Sequence, residues 1–137
     1  MEKKKVLGIS FGRKMSNTEV MIKEALLQCQ AAGCDIQFIR ADDLDIHICT
    51  GCISCVVGMT TGRGKGGCVL KDDFHIIDEA LMECDALIVG SPVYEMEPTG
   101  NFKVVCDRIG PSHDITFREA TYKEGLAAGK PESELPD

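Results

Sequence analysis

Short apolar runs alternate with amphipathic stretches along the first 110 residues. Lys5-Val6-Leu7-Gly8-Ile9 is a continuous apolar run of strand length, as in a strand buried on both faces of a parallel sheet. A polar loop follows, and Ser16-Asn17-Thr18-Glu19 has the S-x-x-E form of a capping box. Behind it, Ile22, Ala25, Leu26 and Cys29 recur at i, i+3, i+4 and i+7, which predicts one buried helical stripe stopped by Gly33. Asp35 to Arg40 reads as a second strand with Ile36 and Phe38 on one face. From Ala41 to Lys71 no helical period is visible. Asp72 or Asp73 then caps a helix whose inner face carries Phe74, Ile77, Leu81 and Cys84. Ala86-Leu87-Ile88-Val89-Gly90 is a third buried strand. A third amphipathic helix is marked by Phe102, Val105, Cys106 and Ile109 and ends at Gly110-Pro111.

The alternation of strands and helices predicts right-handed crossovers and a parallel α/β sheet. The stretch 41–71 is far longer than the usual ~4–6 residue connection, which marks it as functional. Residues 111–137 differ from what precedes them. Three prolines, nine charges and a faint helical pattern (Ile115, Tyr122, Leu126) suggest a charged tail or linker. No internal repeat is present. The expected organisation is one domain over 1–110, with a cysteine-rich loop at 41–71, and a tail over 111–137.

Composition narrows the partners. With 15 basic and 22 acidic residues the net charge is −7, which disfavours a phosphate backbone as ligand, and two Tyr, five Phe and no Trp leave little for stacking bases. No nucleic acid is expected. Nor is a membrane, because no apolar run approaches the ~20 residues of a spanning helix. The lysine-rich start is followed by an apolar stretch too short for a secretory leader. Eight cysteines in 137 residues fall below the ~8–10% of small disulfide scaffolds. A cytoplasmic protein with reduced thiols is expected, so its cysteines read as ligands, redox groups or core filler.

Ligands of an open parallel sheet sit beyond the carboxyl ends of its strands. The first such loop, Ser10 to Thr18, offers the hydroxyls and amide of Ser10, Ser16, Asn17 and Thr18, the close backbone approach of Gly12, and the charge of Arg13. With the free N–H groups of a helix start, these form a candidate phosphate site; the plainer alternative is a capped helix with a polar turn. Gly62-Arg63-Gly64-Lys65-Gly66-Gly67 matches a dinucleotide fingerprint by letter only. No strand precedes it directly, and no Ser or Thr follows the lysine as in a P-loop, so it reads as a loop.

Cys49, Cys52 and Cys55 form C-x2-C-x2-C, and Cys68 follows after twelve intervening residues. Two-residue spacings let thiolates converge on one small centre. Three close ligands and one remote cysteine suit a [4Fe–4S] cluster, and zinc would accept the same four thiolates. Cys29, Cys84 and Cys106 fall on inner helix faces and Cys34 follows a helix stop, where free cysteine packs as a small hydrophobe. His47 reads as a solvated loop residue.

The loop after the third strand, Gly90 to Lys103, carries the stiff exit of Pro92, the apolar surfaces of Val93, Tyr94 and Met96, and polar contacts from Ser91, Thr99 and Gly100. A flat ring could pack against Tyr94. The run Gly90-Ser91-Pro92-Val93-Tyr94, with Phe102-Lys103 and Asp107-Arg108 behind it, resembles the flavin loop and following helix of the NADPH-dependent FMN reductase family. The loop ending Ser16-Asn17-Thr18-Glu19 is similar to that family's phosphate loop. Cys49, Cys52, Cys55 and Cys68, ahead of Lys71-Asp72-Asp73, resemble the cluster segment of its iron–sulfur flavoprotein branch. The likeness covers about residues 4–110.

The resemblance implies a flavodoxin-like, doubly wound parallel sheet that binds FMN. Its phosphate would lie on Ser10, Gly12, Arg13, Ser16, Asn17 and Thr18. The ring would lie on Ser91, Pro92, Val93, Tyr94, Met96, Thr99 and Gly100. It also implies a [4Fe–4S] cluster on the four cysteines, a homo-oligomer, and electron transfer between an acceptor and a donor such as reduced nicotinamide or a ferredoxin-like carrier. No catalytic side chain is expected, since the cofactors carry the chemistry. Two departures accompany the match. The Cys55–Cys68 gap is longer than in comparable iron–sulfur flavoproteins, and the family fold has five strands where three are evident, so the sheet reads as truncated. The chain is accordingly expected to be the front part of a longer flavoprotein, or to need another chain beside its third strand. Two other readings of the same residues stay open: an FMN or quinone reductase without a cluster, and a non-enzymatic zinc-binding interaction module.

Overall fold

In the computed structural model, which describes residues 3–61, 63, 66–114 and 123–131, the three apolar runs form one parallel sheet. Strand β1 is Lys5–Ser10, β2 is Asp35–Arg40 and β3 is Ala86–Gly90. The order is β2-β1-β3, with Lys5 opposite Asp35 and Val6 opposite Ala86. This 2-1-3 order is how flavodoxin-like sheets begin. The central place of β1 explains its unbroken apolar run, because it is covered on both faces and buried from Val6 onward.

Helix α1, Asn17–Ala31, starts where the capping pattern places it and packs on the sheet through Ile22 and Leu26, which join Val6 in one buried cluster. A short 3-10 turn, Ala41–Asp43, follows β2. Helix α2 is Ser54–Thr60 and α3 is Phe74–Glu83, whose Phe74, Ile77 and Ala80 are buried. Since β2 and β3 lie on opposite sides of β1, right-handed crossovers place α1 and α3 on opposite faces of the sheet. Winding therefore reverses between β1 and β3. At such a switch point the loops leaving the two strands diverge and open a ligand crevice.

The loop after β3 folds into a two-stranded antiparallel hairpin, β4 (Val93–Tyr94) and β5 (Glu97–Pro98), separate from the parallel sheet. Helix α4, Gly100–Arg108, follows. Among the described residues no fourth strand joins β3, so one edge of the sheet is open, and Leu87 and Val89 on it are exposed.

Three sequence expectations are corrected. The apolar run of β3 predicts a buried strand, but none of its residues is buried, because it lies at the sheet edge with no further strand beside it among the described residues. The stretch 41–71 is not free of helix: α2 lies inside it. Its seven residues hold Gly58 and three β-branched residues, so neither apolar period nor propensity announces it. Cys106 is exposed, whereas Val105 and Arg108 turn inward on α4. A hydrophobic pattern cannot foresee a buried arginine, and choosing Cys106 over Arg108 turned the helix face the wrong way.

The described residues of 1–47 and 72–106 form one compact unit, and those of 48–71 and 107–137 form a second. In the second, residues 123–127 are helical and include Leu126 of the faint pattern. Ile115 and Tyr122 lie outside the described residues, as do Gly62, Gly64 and Lys65 of the glycine-rich run. No helix among the described residues is long and apolar enough to cross a membrane.

Candidate functional site

The crevice at the β1/β3 switch point is built from two loops tied at their roots, where the Phe11 amide donates to the Gly90 carbonyl at 2.9 Å. In the first loop, Ser10 is fully buried and its Oγ accepts from the Gly12 amide at 3.3 Å. Ser16 caps α1, its Oγ accepting from the Glu19 amide at 3.3 Å. The return arm of the capping box is displaced by one residue. Glu19 Oε2 accepts from the Met15 amide at 3.1 Å, while the Ser16 amide donates to the Arg13 carbonyl. Met15 takes a left-handed conformation (φ 62°) to allow this.

Glu19 is 1% exposed, and Arg40 and Lys23 both donate to its carboxylate. The Arg40 hydrogen bonds, followed by that of Lys23, hold its carboxyl well below the usual range, at about 2. Neutralised by two cations, this carboxylate leaves the helix start attractive to an anion. The amides of Asn17 and Thr18 have no carbonyl of their own helix to reach, and the helix dipole favours negative charge there. A Cβ on Gly12 would sit 2.7 Å from Ser16 Oγ, so only glycine lets the loop backbone lie against the cap. Arg13 is exposed at the rim. Of the expected phosphate residues, Gly12, Ser16 and Thr18 thus cluster at the helix start, and Ser10 braces the loop from beneath.

The second loop is fastened at its base. Ser91 Oγ accepts from the Thr99 amide at 3.0 Å and donates to the Pro92 carbonyl at 3.0 Å. Thr99, 6% exposed, caps α4 by accepting from the Phe102 amide, and the Phe102 ring meets Phe11 edge-on with centroids 5.2 Å apart. Ser91 and Thr99 therefore spend their hydroxyls on holding the hairpin. Beyond them Val93, Tyr94 and Met96 are 71%, 60% and 93% exposed. The tip residues Glu95 and Met96 are both left-handed (φ 48° and 68°), the form of a type I′ turn. Gly100 faces open space. A Cβ on Gly90 would come within 2.7 Å of Ile22 Cδ1 and 2.8 Å of Thr18 Cγ2, so the first turn of α1 rests directly on the end of β3. The first loop thus offers polar donors and the second an exposed apolar hairpin.

In the second unit, Cys49, Cys52, Cys55 and Cys68 line one cavity together with Ile53, Val56, Val69, Leu70 and residues Asp107 to Pro111. All four thiols are free of disulfides. Cys55 sits in the first turn of α2, entered through a left-handed Ile53 (φ 53°). The Gly51 amide donates to Cys49 Sγ at 3.4 Å, and Arg108 Nε donates to Cys68 Sγ at 3.1 Å. Hydrogen bonds from the Ser54 side chain and backbone, then from Thr50, lower the pKa of the Cys52 thiol. Among the described residues no three Cys, His, Asp or Glu side chains converge on a point able to hold one metal ion. A tetrahedral zinc with ~2.3 Å bonds would draw its four sulfurs to roughly 3.8 Å of one another.

His47 is absent from the cavity lining; its amide donates to Asp72 Oδ2 at 2.8 Å, as the Asp45 amide does to Asp73 Oδ2 at 2.9 Å. Of the remaining cysteines, Cys29 and Cys34 pack on the α1 core, and burial pushes the Cys84 thiol up. Sequence reasoning missed the Glu19–Arg40 pair and the Arg108–Cys68 contact, which link residues 21 and 40 positions apart.

The sequence model of the NADPH-dependent FMN reductase family matches residues 5–131. An iron–sulfur flavoprotein of Archaeoglobus fulgidus is 32% identical over 124 residues, which cover 88% of this chain and 53% of that protein. One from Methanocaldococcus jannaschii is 31% identical over 104 residues, 76% of this chain and 50% of its own. A solved flavone reductase superposes with a TM-score of 0.73 at 26% identity, over 97% of this chain and 38% of the other. The chain spans about half the length of the curated relatives it matches.

Proposed function

Because the chain belongs to the NADPH-dependent FMN reductase family, we propose that it is an oxidoreductase holding FMN in the β1/β3 crevice and a [4Fe–4S] cluster on its four-cysteine cavity. It would move electrons between an acceptor and a donor that is either a reduced nicotinamide or a ferredoxin-like carrier. The observation that carries the flavin reading is the pairing of the two loops. One offers amides, hydroxyls and Arg13 to a phosphate; the other presents Val93, Tyr94 and Met96 to a flat ring.

When bound, FMN supplies hydride or single-electron chemistry and a cluster supplies single-electron chemistry. The side chains place and tune. Ser16, Asn17, Thr18 and Gly12 would hold the phosphate, with Arg13 closing over it. Ser91 and Thr99 hold the hairpin that would cover the ring. Four cysteines without disulfides, with hydrogen bonds donated to Cys49, Cys52 and Cys68, are the donor set a cluster requires. All four line one cavity, an arrangement that a cluster or a zinc ion could use. The protein would act as a homo-oligomer, which size-exclusion chromatography with light scattering tests.

An absorption spectrum with metal analysis on anaerobically purified protein is the decisive experiment. Flavin bands with about four irons per chain are expected. Flavin without iron would remove the cluster and leave an FMN reductase. Colourless protein holding zinc would overturn both parts.

A further inference from the structure

We propose that Arg108 is a positioning residue for the fourth cysteine, holding the Cys68 sulfur at the cavity shared with Cys49, Cys52 and Cys55 and raising the reduction potential of a cluster bound there. The inference rests on the cluster reading above. Twelve residues separate Cys55 from Cys68, so sequence spacing does not bring the fourth sulfur to the other three. Something else must. Arg108 is 2% exposed, among the largest fully buried side chains of the described residues, and its Nε donates to Cys68 Sγ at 3.1 Å. Both residues line the cavity that the other three cysteines share.

The chemistry of this contact is asymmetric. A guanidinium keeps its charge at any ordinary pH, and burying it is costly unless an anion lies beside it. On its Nε side, the thiolate of Cys68 and a cluster core would contribute such negative charge. Reduction adds one more negative charge at the centre, so a fixed cation at hydrogen-bond distance from a ligand sulfur favours the reduced state. The Gly51 amide on Cys49 is a neutral dipole and acts more weakly. Arg108 closes the last turn of α4, where a cation is also favoured by the helix dipole.

The test uses the full chain, reconstituted anaerobically with iron and sulfide, and reads iron content, the electron paramagnetic resonance of the reduced protein, and midpoint potential. Arg108→Gln should shift the reduction equilibrium about tenfold toward the oxidised state, which is about 59 mV for a one-electron couple. Arg108→Lys keeps the charge and should hold that equilibrium within about threefold of wild type. Cys68→Ser should change the iron content or the resonance spectrum. Wild-type potential in fully loaded Arg108→Gln would overturn the proposal, as would an unaltered centre in Cys68→Ser. Should Arg108→Gln fail to fold, the lysine and serine variants decide: a tenfold shift in Arg108→Lys counts against the charge. Wild-type protein that takes up no iron would instead defeat the cluster reading itself.

Discussion

Arg40, the last residue of β2, grips Glu19, the third residue of α1, through both Nε and Nη2 at 2.8 and 3.0 Å. Glu19 in turn accepts from the Met15 amide, so the candidate phosphate loop is fastened to the neighbouring strand through one buried carboxylate. An ordinary glutamate titrates near 4.5, and this one is held at about 2. Its pKa is depressed in the folded state, so its contribution is complete above pH 4.5 and is lost as the pH falls from there toward 2. Urea denaturation across that window should show wild-type stability falling more steeply than that of Glu19→Gln. Parallel curves would mean that the pair does not set the carboxyl's titration.

Gly90 carries a packing constraint that an alanine would violate. An added Cβ would meet Ile22 Cδ1 at 2.7 Å and Thr18 Cγ2 at 2.8 Å. Overpacking of this kind costs about 1–3 kcal/mol. Gly90→Ala should lose that much in urea denaturation and bind FMN more weakly, because Ile22 and Thr18 must leave their rotamers or α1 must lift off β3 to relieve the clash. Wild-type stability would show that the clash is relieved without cost.

Ser16 has two roles that a pair of ligands separates. As a cap it contributes about 1 kcal/mol to α1. As a phosphate contact it would affect FMN and leave riboflavin untouched. Calorimetric titration of Ser16→Ala is expected to show FMN affinity reduced about tenfold, the weight of one hydrogen bond to a charged group, with riboflavin affinity unchanged. An equal loss for both ligands would assign Ser16 to the helix alone.

The parallel core was legible in the sequence where one cause dominated. Val6 to Ile9 is a strand because a run that short and apolar has no other way to be buried; Ala86 to Gly90 shares the pattern and pairs with it, although Leu87 and Val89 stay exposed. Ser16 begins α1 because its hydroxyl reaches the Glu19 amide whatever else surrounds it. What escaped depends on partners distant in sequence. Glu19 was legible as half of a capping box, yet its strongest partner is Arg40, 21 positions on. The inward turn of Arg108 was not legible either, since one of its contacts is a sulfur 40 positions away. The donor-rich loop and the four cysteines were visible as residue types. That Ser91 and Thr99 bond each other, and so fix a hairpin, was not.

The hairpin tip is strained for its residues. Glu95 and Met96 both hold positive φ, which costs roughly 1–2 kcal/mol each outside glycine, asparagine and aspartate. Replacing them with Asn-Gly, the preferred pair for this turn, should stabilise the protein by about 1 kcal/mol. If Met96, 93% exposed, is retained for the ring it would cover, the same variant should bind FMN more weakly. A more stable variant with unchanged affinity would remove Met96 from the flavin site.

The eight thiols differ in environment, and the metal-free protein should reveal the order. Cys52 is exposed, and hydrogen bonds from Ser54 and Thr50 lower its thiol pKa, which enriches the reactive thiolate. Cys84 is partly buried, burial raises its pKa, and its Sγ donates to the Leu81 carbonyl at 3.5 Å. Iodoacetamide labelling followed by mass spectrometry near neutral pH should modify Cys52 early and Cys84 late. After anaerobic loading with iron and sulfide the pattern should invert locally. Cys49, Cys52, Cys55 and Cys68 should become protected together, while the exposed Cys106 keeps reacting. Protection of only three of the four would assign the remote position to a ligand other than Cys68. Continued labelling of Cys52 at its metal-free rate would show that the cavity holds no metal centre.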